Sequence, residues 1–391
     1  MTSRVSTSRV FERDTPLFRE SASGRVDKFP RNAWARWGLR LLIAALYAGV
    51  ATWFHLATAG GWAGTANAAL ADRVAFLRAG GAPEEGLGVI GALYPPLTSL
   101  VAMLVPGGAF GLAIAGSLVA GFMLQMVVQS MRRRQFPLFV RLVFVFTLGA
   151  TPVFAYIATT NFEAIVGLMF FGLGMIDLVR FVTWANTQAG FRAGILFACA
   201  AFSDSTVTFT ALVAAIAGTL IIQSRPGARL ANAFVVAFPT LTLFASLALL
   251  GIAFGAGPLA MLRGDLSWSP ERFDAMLDFF ASPAGVVYFA PVLLLVVTSF
   301  ALRFPGTALI AVLLTASTLI AFVLGLTPPG TAGINYTLML LLAIAIVPTL
   351  TTLAHRLLTC AVSLVLWLIG WLTTLQWRTL ADWVSVLGGV S

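Results

Sequence analysis

Asp72, the Glu84-Glu85 pair, Glu163 and Asp204 are the residues of this chain whose type and position could do chemistry. Each stands in a polar break between long apolar stretches. A carboxylate in such a place can take a proton from a hydroxyl, or hold a hard cation such as Mg²⁺, Mn²⁺ or Ca²⁺ through oxygen. Other chemistries have little support. The two cysteines, Cys199 and Cys360, lie far apart in apolar segments, and the two histidines, His55 and His355, stand at the ends of such segments. None of these four has a transition-metal ligand spacing. The chain also lacks a phosphate-binding GxxxxGK[ST] loop, an HExxH pair and a GxSxG elbow.

The elements that must position these acids are membrane helices. The chain has 391 residues, 59% of them hydrophobic and 10% charged. Soluble domains carry about 25% charged residues, so lipid has to be the solvent for most of this surface. Crossing a bilayer takes about 20 apolar residues. Segments 37–58, 107–131, 138–157, 163–182, 231–256, 286–302, 306–326, 333–352 and 356–377 meet that length. The expected fold is an all-α polytopic membrane protein of about 9–11 transmembrane helices, with short external interfacial helices. Residues 1–35 read as a disordered basic tail, 36–260 as the main membrane module, 261–285 as an external loop and helix, and 286–391 as C-terminal membrane helices.

The net charge of +9 is almost entirely arginine. Because the arginines concentrate in particular loops, the positive-inside rule explains them better than nucleic-acid binding does, and no nucleic-acid partner is expected. The rule puts the basic N-terminus in the cytoplasm and the 59–97 loop outside. Arg132-Arg133-Arg134 then returns to the cytoplasm only if 97–105 fails to cross, and nine residues make a helix of only about 14 Å. The apolar run 189–223 is interrupted by Ser203-Asp204-Ser205-Thr206. Read as two legs joined at that break, it starts and ends inside and turns Asp204 towards the outer leaflet. Asp177, three residues before Arg180, can pair with it on one helix face.

Local signals mark three further elements. Residues 67–77 form a plausible helix that carries Asp72. Pro95-Pro96 suits the opening of the 97–105 half-helix. Its N-terminal N–H groups would face the outer headgroups, which suits a lipid phosphate. Ser269-Pro270-Glu271 reads as a helix start. Tyr94, just before the half-helix, could bind a phosphate or sugar hydroxyl at the lip of a site. Trp53, Trp62 and Trp268 read as interface-belt residues.

The order of these features resembles the GT-C superfamily of integral-membrane glycosyltransferases. The resemblance covers about residues 40–260. It rests on the basic tail, the long first external loop, Tyr94-Pro95-Pro96-Leu97 before a non-spanning helix, and Arg132-Arg133-Arg134. It continues through Thr151-Pro152-Val153-Phe154, the turn Ala158 to Ala164, the broken segment from Gly194-Ile195-Leu196, and Phe254-Gly255-Ala256-Gly257-Pro258-Leu259. It implies a GT-C-like bundle in a bacterial inner membrane. The implied reaction moves a sugar from a polyprenyl-phosphate donor to a glycan, lipid or protein acceptor on the external face.

By that resemblance an acid soon after the first span acts as general base or metal ligand. Gly64-Thr65-Ala66-Asn67 holds none, and Asp72 is the nearest. Glu163 matches the position of a second acid or metal ligand. Asp204, Asn161, Tyr94 and Pro95 are assigned to substrate binding, and a divalent cation (Mg²⁺ or Mn²⁺) is compatible. The alternatives are a GT-C-shaped scaffold subunit of an envelope-polysaccharide assembly that has lost catalysis, and a transporter of lipid-linked glycans.

Overall fold

A computed structural model describes residues 29–79, 93–133, 136–184, 186–222, 228–253, 267–326, 334–346 and 352–389. Every regular element among them is a helix. They are α1 (Ala33–Ala57), α2 (Ala66–Arg78), α3 (Pro96–Leu104), α4 (Gly108–Arg133), α5 (Leu138–Gly149), α6 (Pro152–Thr160), α7 (Phe162–Trp184) and α8 (Thr187–Ser203). There follow α9 (Ser205–Ile221), α10 (Arg229–Ala253), α11 (Pro270–Ala281), α12 (Pro283–Ala301), α13 (Pro305–Val323), α14 (Ile334–Ile346), α15 (Leu353–Gln376) and α16 (Arg378–Leu387). The all-helical outcome follows from the solvent. Lipid offers the backbone no hydrogen bonds, so each segment must satisfy its own.

Seven described helices are long and apolar enough to cross a membrane; the α5–α6 pair, bent by 58°, is a broken span or a re-entrant loop, so 138–157 is not the single straight helix that its apolar length suggests. The bend falls where Thr151 caps α6 and Pro152 opens it. The protein is therefore a multi-pass membrane protein. Its outer helices expose apolar side chains, such as Leu46 on α1 and Phe238 on α10. The half-helix is present as α3, nine residues that cannot span. Ser269 caps α11 as its sequence suggests.

The broken segment is a hairpin. A Cβ on Gly167 of α7 would touch both Ala200 of α8 and Val207 of α9, on either side of the break. Farther along, Gly174 faces Phe197, while Gly218 faces Leu178. Thus α8 runs antiparallel to α7 and α9 parallel to it. The hydroxyl of Thr208 donates to the carbonyl of Ala201 at 3.2 Å across the turn, a contact that a continuous helix could not make.

The core is centred on α7, whose Leu168, Phe171, Met175 and Leu178 are fully enclosed. At one end of the bundle lie Phe29, Gln125 and Gln129, where the Gln125 side chain donates to the Phe29 carbonyl at 2.6 Å. At the other end lie α2, α3 and the starts of α7 and α9. There Trp62 is buried rather than belted. Its indole donates to His55 Nδ1 at 3.0 Å and its ring packs edge-on against Phe54. The Phe254–Leu259 motif, the Glu84-Glu85 pair and the N-terminal tail to residue 28 lie outside the described residues.

Candidate functional site

The site begins with a buried amide. Asn67 on α2 has no exposed surface; its Nδ2 donates to the Thr159 carbonyl at 3.0 Å, and its Oδ1 accepts the Phe162 N–H at 2.7 Å. The side chain therefore bridges α2 to the junction of α6 and α7. It can do so only because it donates and accepts at once; an ionised acid here could not donate to Thr159. Leu70 and Val74, on the same side of α2, are also buried.

This docking sets the rotation of α2 and brings Arg73 over the start of α7. Its Nη2 donates to Glu163 Oε1 and to Ser99 Oγ, the latter at 3.0 Å. The two charged side chains are 11% and 13% exposed, so water screens the pair little. The remaining Arg73 nitrogens, Nε and Nη1, are buried without a hydrogen-bond partner. A guanidinium left with two enclosed donors costs free energy, on the order of 1–3 kcal/mol for each unmade bond. An incoming anion could recover that energy.

Two helices begin beside Arg73, whose partners Ser99 and Glu163 lie near their starts, and a third begins beyond them. Pro96 opens α3, Phe162 opens α7 and Ser205 opens α9. Helix N-termini present N–H groups and a partial positive charge. Asn161 caps α7, its Oδ1 accepting the Ala164 N–H at 3.0 Å. Pro95 holds the N-cap position of α3. Thr98 ties that helix to the end of α8 by donating to the Ser203 carbonyl at 2.8 Å.

Asp204 is 5% exposed and caps α9, its Oδ1 accepting the Thr206 N–H at 2.9 Å. Its Cβ lies against Gly167, one turn below Glu163 on α7, or about 6 Å along the axis. A side chain at Gly167 would displace Asp204. Behind them sits Tyr94, 2% exposed, its hydroxyl 2.9 Å from Thr208 Oγ1. Burial pushes the Tyr94 hydroxyl up to about 12; the Thr208 hydrogen bond opposes this, while Asp204 and Glu163 add to it.

Glu163, Asp204, Tyr94, Pro95 and Asn161 thus lie around one end of the bundle. Two placements differ from what the residue types suggest. Tyr94 is packed inside the hairpin seam rather than set at a lip. Asp72 is exposed on the outward side of α2. Successive residues on a helix point about 100° apart, so the rotation that turns Arg73 inward turns Asp72 out. Arg73, Asn67 and Ser99 were not legible as site residues. An arginine beside an acid in an external loop reads as a solvated pair, and only the docking of α2 selects Glu163 as its partner.

Among the described residues, no three His, Cys, Asp or Glu side chains converge as a cation ligand set. The cluster does not fit a divalent metal, because the carboxylate of Glu163 is occupied by a guanidinium. What the cluster leaves unmet are two guanidinium donors, Nε and Nη1 of Arg73. No known family model matches the chain, and no curated protein or solved structure is significantly similar to it.

Proposed function

We propose that the protein is a GT-C-type membrane glycosyltransferase that takes a sugar from a polyprenyl-phosphate donor. The N-terminus is cytoplasmic, so that α2, α3 and the Arg73 cluster face the outer side of a bacterial inner membrane. The observation that carries the reading is Arg73, buried against the starts of α3 and α7 with two donors unmet. A phosphate monoester or diester supplies acceptor oxygens for those two donors.

In the reaction, the acceptor hydroxyl oxygen bonds to the anomeric carbon. The bond from that carbon to the phosphate oxygen breaks, and its electron pair leaves with the phosphate. Arg73 stabilises the charge that develops there. Glu163 sits on the phosphate's side and holds the guanidinium in place. The hydroxyl proton must go to a base on the opposite face of the sugar. Asp72 faces away from the Arg73 cluster, so this base is a group other than Asp72. Asp204 fixes the start of α9.

A second reading, a catalytically silent GT-C-shaped scaffold, is favoured by one observation. Asn67 lies in the stretch where the resemblance calls for an acid, and its role there is structural. Purified protein in nanodiscs separates the two readings. Undecaprenyl phosphate should bind to the wild type and at least tenfold more weakly to Arg73→Met. Polyprenyl-phosphate hexoses and pentoses should then be consumed by the wild type and not by Arg73→Met. Binding without consumption of any donor selects the scaffold. Equal binding by Arg73→Met sinks the phosphate site itself.

A further inference from the structure

Arginines from three helices gather at the opposite end of the bundle, the end that carries Phe29, and each has only neutral partners. Arg36 on α1 donates from Nη1 to the carbonyls of Pro30 and Arg31 at 2.8 and 2.9 Å. Arg40, one turn further, donates from Nε to Gln125 Oε1 at 2.9 Å, the same glutamine that holds the Phe29 carbonyl. Its guanidinium lies over the rings of Trp37 and Phe122, 4.8 and 4.2 Å from their centroids. Arg132, near the end of α4, lies over the Phe29 ring at 4.1 Å and is exposed. Arg141 on α5 has its Nε buried without a hydrogen-bond partner. Arg36 and Arg40 repel each other, as do Arg132 and Arg141. Like charges held this close oppose folding unless something else neutralises them.

The chain itself supplies little to neutralise them. No Asp or Glu occurs in 29–71 or in 86–162, the stretches that contain α1, α4 and α5. Residues 1–28 hold six basic and four acidic side chains, so they add to the positive charge. Asp177 of α7 is already bonded to Arg180 and Arg192. The cluster also stands at the edge of the hydrocarbon. Helix α1 is a membrane span only 22% buried, and it exposes Trp34, Trp37, Leu41, Leu42 and Leu46. The exposed Trp37 and Trp53 lie about 24 Å apart along the helix. That is close to the hydrocarbon thickness of about 30 Å, so the two indoles mark the two interfaces. Arg40 stacks on Trp37 and thus sits at the headgroup border. Phe122 is one turn from the exposed Leu118 on α4, which continues the apolar surface inward beside Leu41.

We propose that this arginine cluster holds the phosphate of an anionic phospholipid in the leaflet at that end, with an acyl chain lying along Leu41 of α1 and Leu118 of α4. The terminal nitrogens of Arg40 and the whole guanidinium of Arg132 make no hydrogen bond among the described residues. They remain free to donate to phosphate oxygens, for which a guanidinium is well shaped. Basic sites between membrane helices at an interface select anionic headgroups in this way. A zwitterionic lipid brings its own ammonium group, which the arginines repel. The site lies at the end of α1 away from the Arg73 cluster and does not depend on a transferase activity.

The test is native mass spectrometry of the full chain in detergent, titrated with dioleoyl phosphatidylglycerol or dioleoyl phosphatidylcholine. The wild type should retain phosphatidylglycerol at least fivefold better. Arg132→Gln changes an exposed side chain without a hydrogen bond, so the fold is kept, and it should cut that preference at least twofold. Arg40→Gln/Arg132→Gln should erase it. Arg378→Gln, on α16 at the Trp53 end of α1, should leave it unchanged. Excess inorganic phosphate should not displace the lipid. Equal retention of the two lipids by the wild type, or an unchanged preference in Arg132→Gln, overturns the assignment. An equal loss in Arg378→Gln would overturn it by showing that net charge alone is read, and displacement by inorganic phosphate would overturn it by making the site one for free phosphate.

Discussion

Removing either partner of the Arg73–Glu163 pair should be costly, and the two losses should be unequal. Breaking a buried ion pair costs about 3–5 kcal/mol when the surviving charge has no other support. In Arg73→Met the survivor is Glu163, a carboxylate in the first turn of α7, where the helix N-terminus supports its charge. The substitution also removes Nε and Nη1, the two donors that are buried and unpaired in the wild type. Both effects reduce the loss to about 2–3 kcal/mol. In Glu163→Leu the survivor is a guanidinium that cannot deprotonate. Only its bond to Ser99 remains, so the loss should stay near about 4 kcal/mol. The Arg73→Met/Glu163→Leu double variant should lose only about 1–2 kcal/mol, because paired replacement by apolar residues is often close to neutral. Unfolding in mixed micelles titrated with dodecyl sulfate, followed by tryptophan fluorescence, gives all three values and their coupling. Additive losses would refute the pair. A loss in Arg73→Met equal to or larger than that in Glu163→Leu would refute the unmet donors.

Further outcomes follow from the same site. Asn67→Leu removes two buried backbone contacts and should cost about 2–4 kcal/mol in the same titration, with α2 released to proteolysis. A loss below about 0.5 kcal/mol would mean that α2 is docked by Leu70 and Val74 alone. Gly167→Val drives a methyl group into Asp204 Cβ, which already lies 2.9 Å from the position of an added Cβ. It should cost about 1–3 kcal/mol and weaken undecaprenyl phosphate binding; unchanged binding would detach the hairpin turn from the site. Because Tyr94 titrates near 12 when folded against about 10 when unfolded, the native state holds its proton over that interval. Stability from this group is complete below about pH 10 and is lost as pH rises towards about 12. Tyr94→Phe should therefore show a shallower alkaline decline than the wild type, and identical slopes would exclude the effect.

Much of the architecture was legible because it rests on local properties. Apolar length indicated seven of the nine expected spans; 138–157 is broken at Thr151-Pro152, the helix within 333–352 has 13 described residues, and α3, within 97–105, is too short to cross. The polar break at Ser203–Thr206 signalled two legs, and Asp204 is the N-cap that separates them. The pairing of Asp177 with Arg180 follows from three-residue spacing on one helix. The Ser269-Pro270 start of α11 needed only its own turn of sequence.

The site was less legible, because partners chosen across helices depend on how each helix is rotated about its axis. Arg73 and Glu163 are 90 residues apart, and nothing in either segment names the other. One step of about 100° along α2 decides that Arg73 enters the bundle and Asp72 meets water. The rotation is itself set by Asn67, whose two bonds lie across the α6–α7 junction. The same holds at the far end, where Arg192 joins Asp177 from another helix and α4, α7 and α8 leave a cleft between them. The sequence by itself determined that this chain is a helical membrane protein, that the 189–223 run breaks at Asp204 and that Ser269 caps α11. Only the tertiary structure decided which charges meet, because hydrophobic length and capping act within a few turns, whereas ion pairs and cavities belong to the packing of helices distant in sequence.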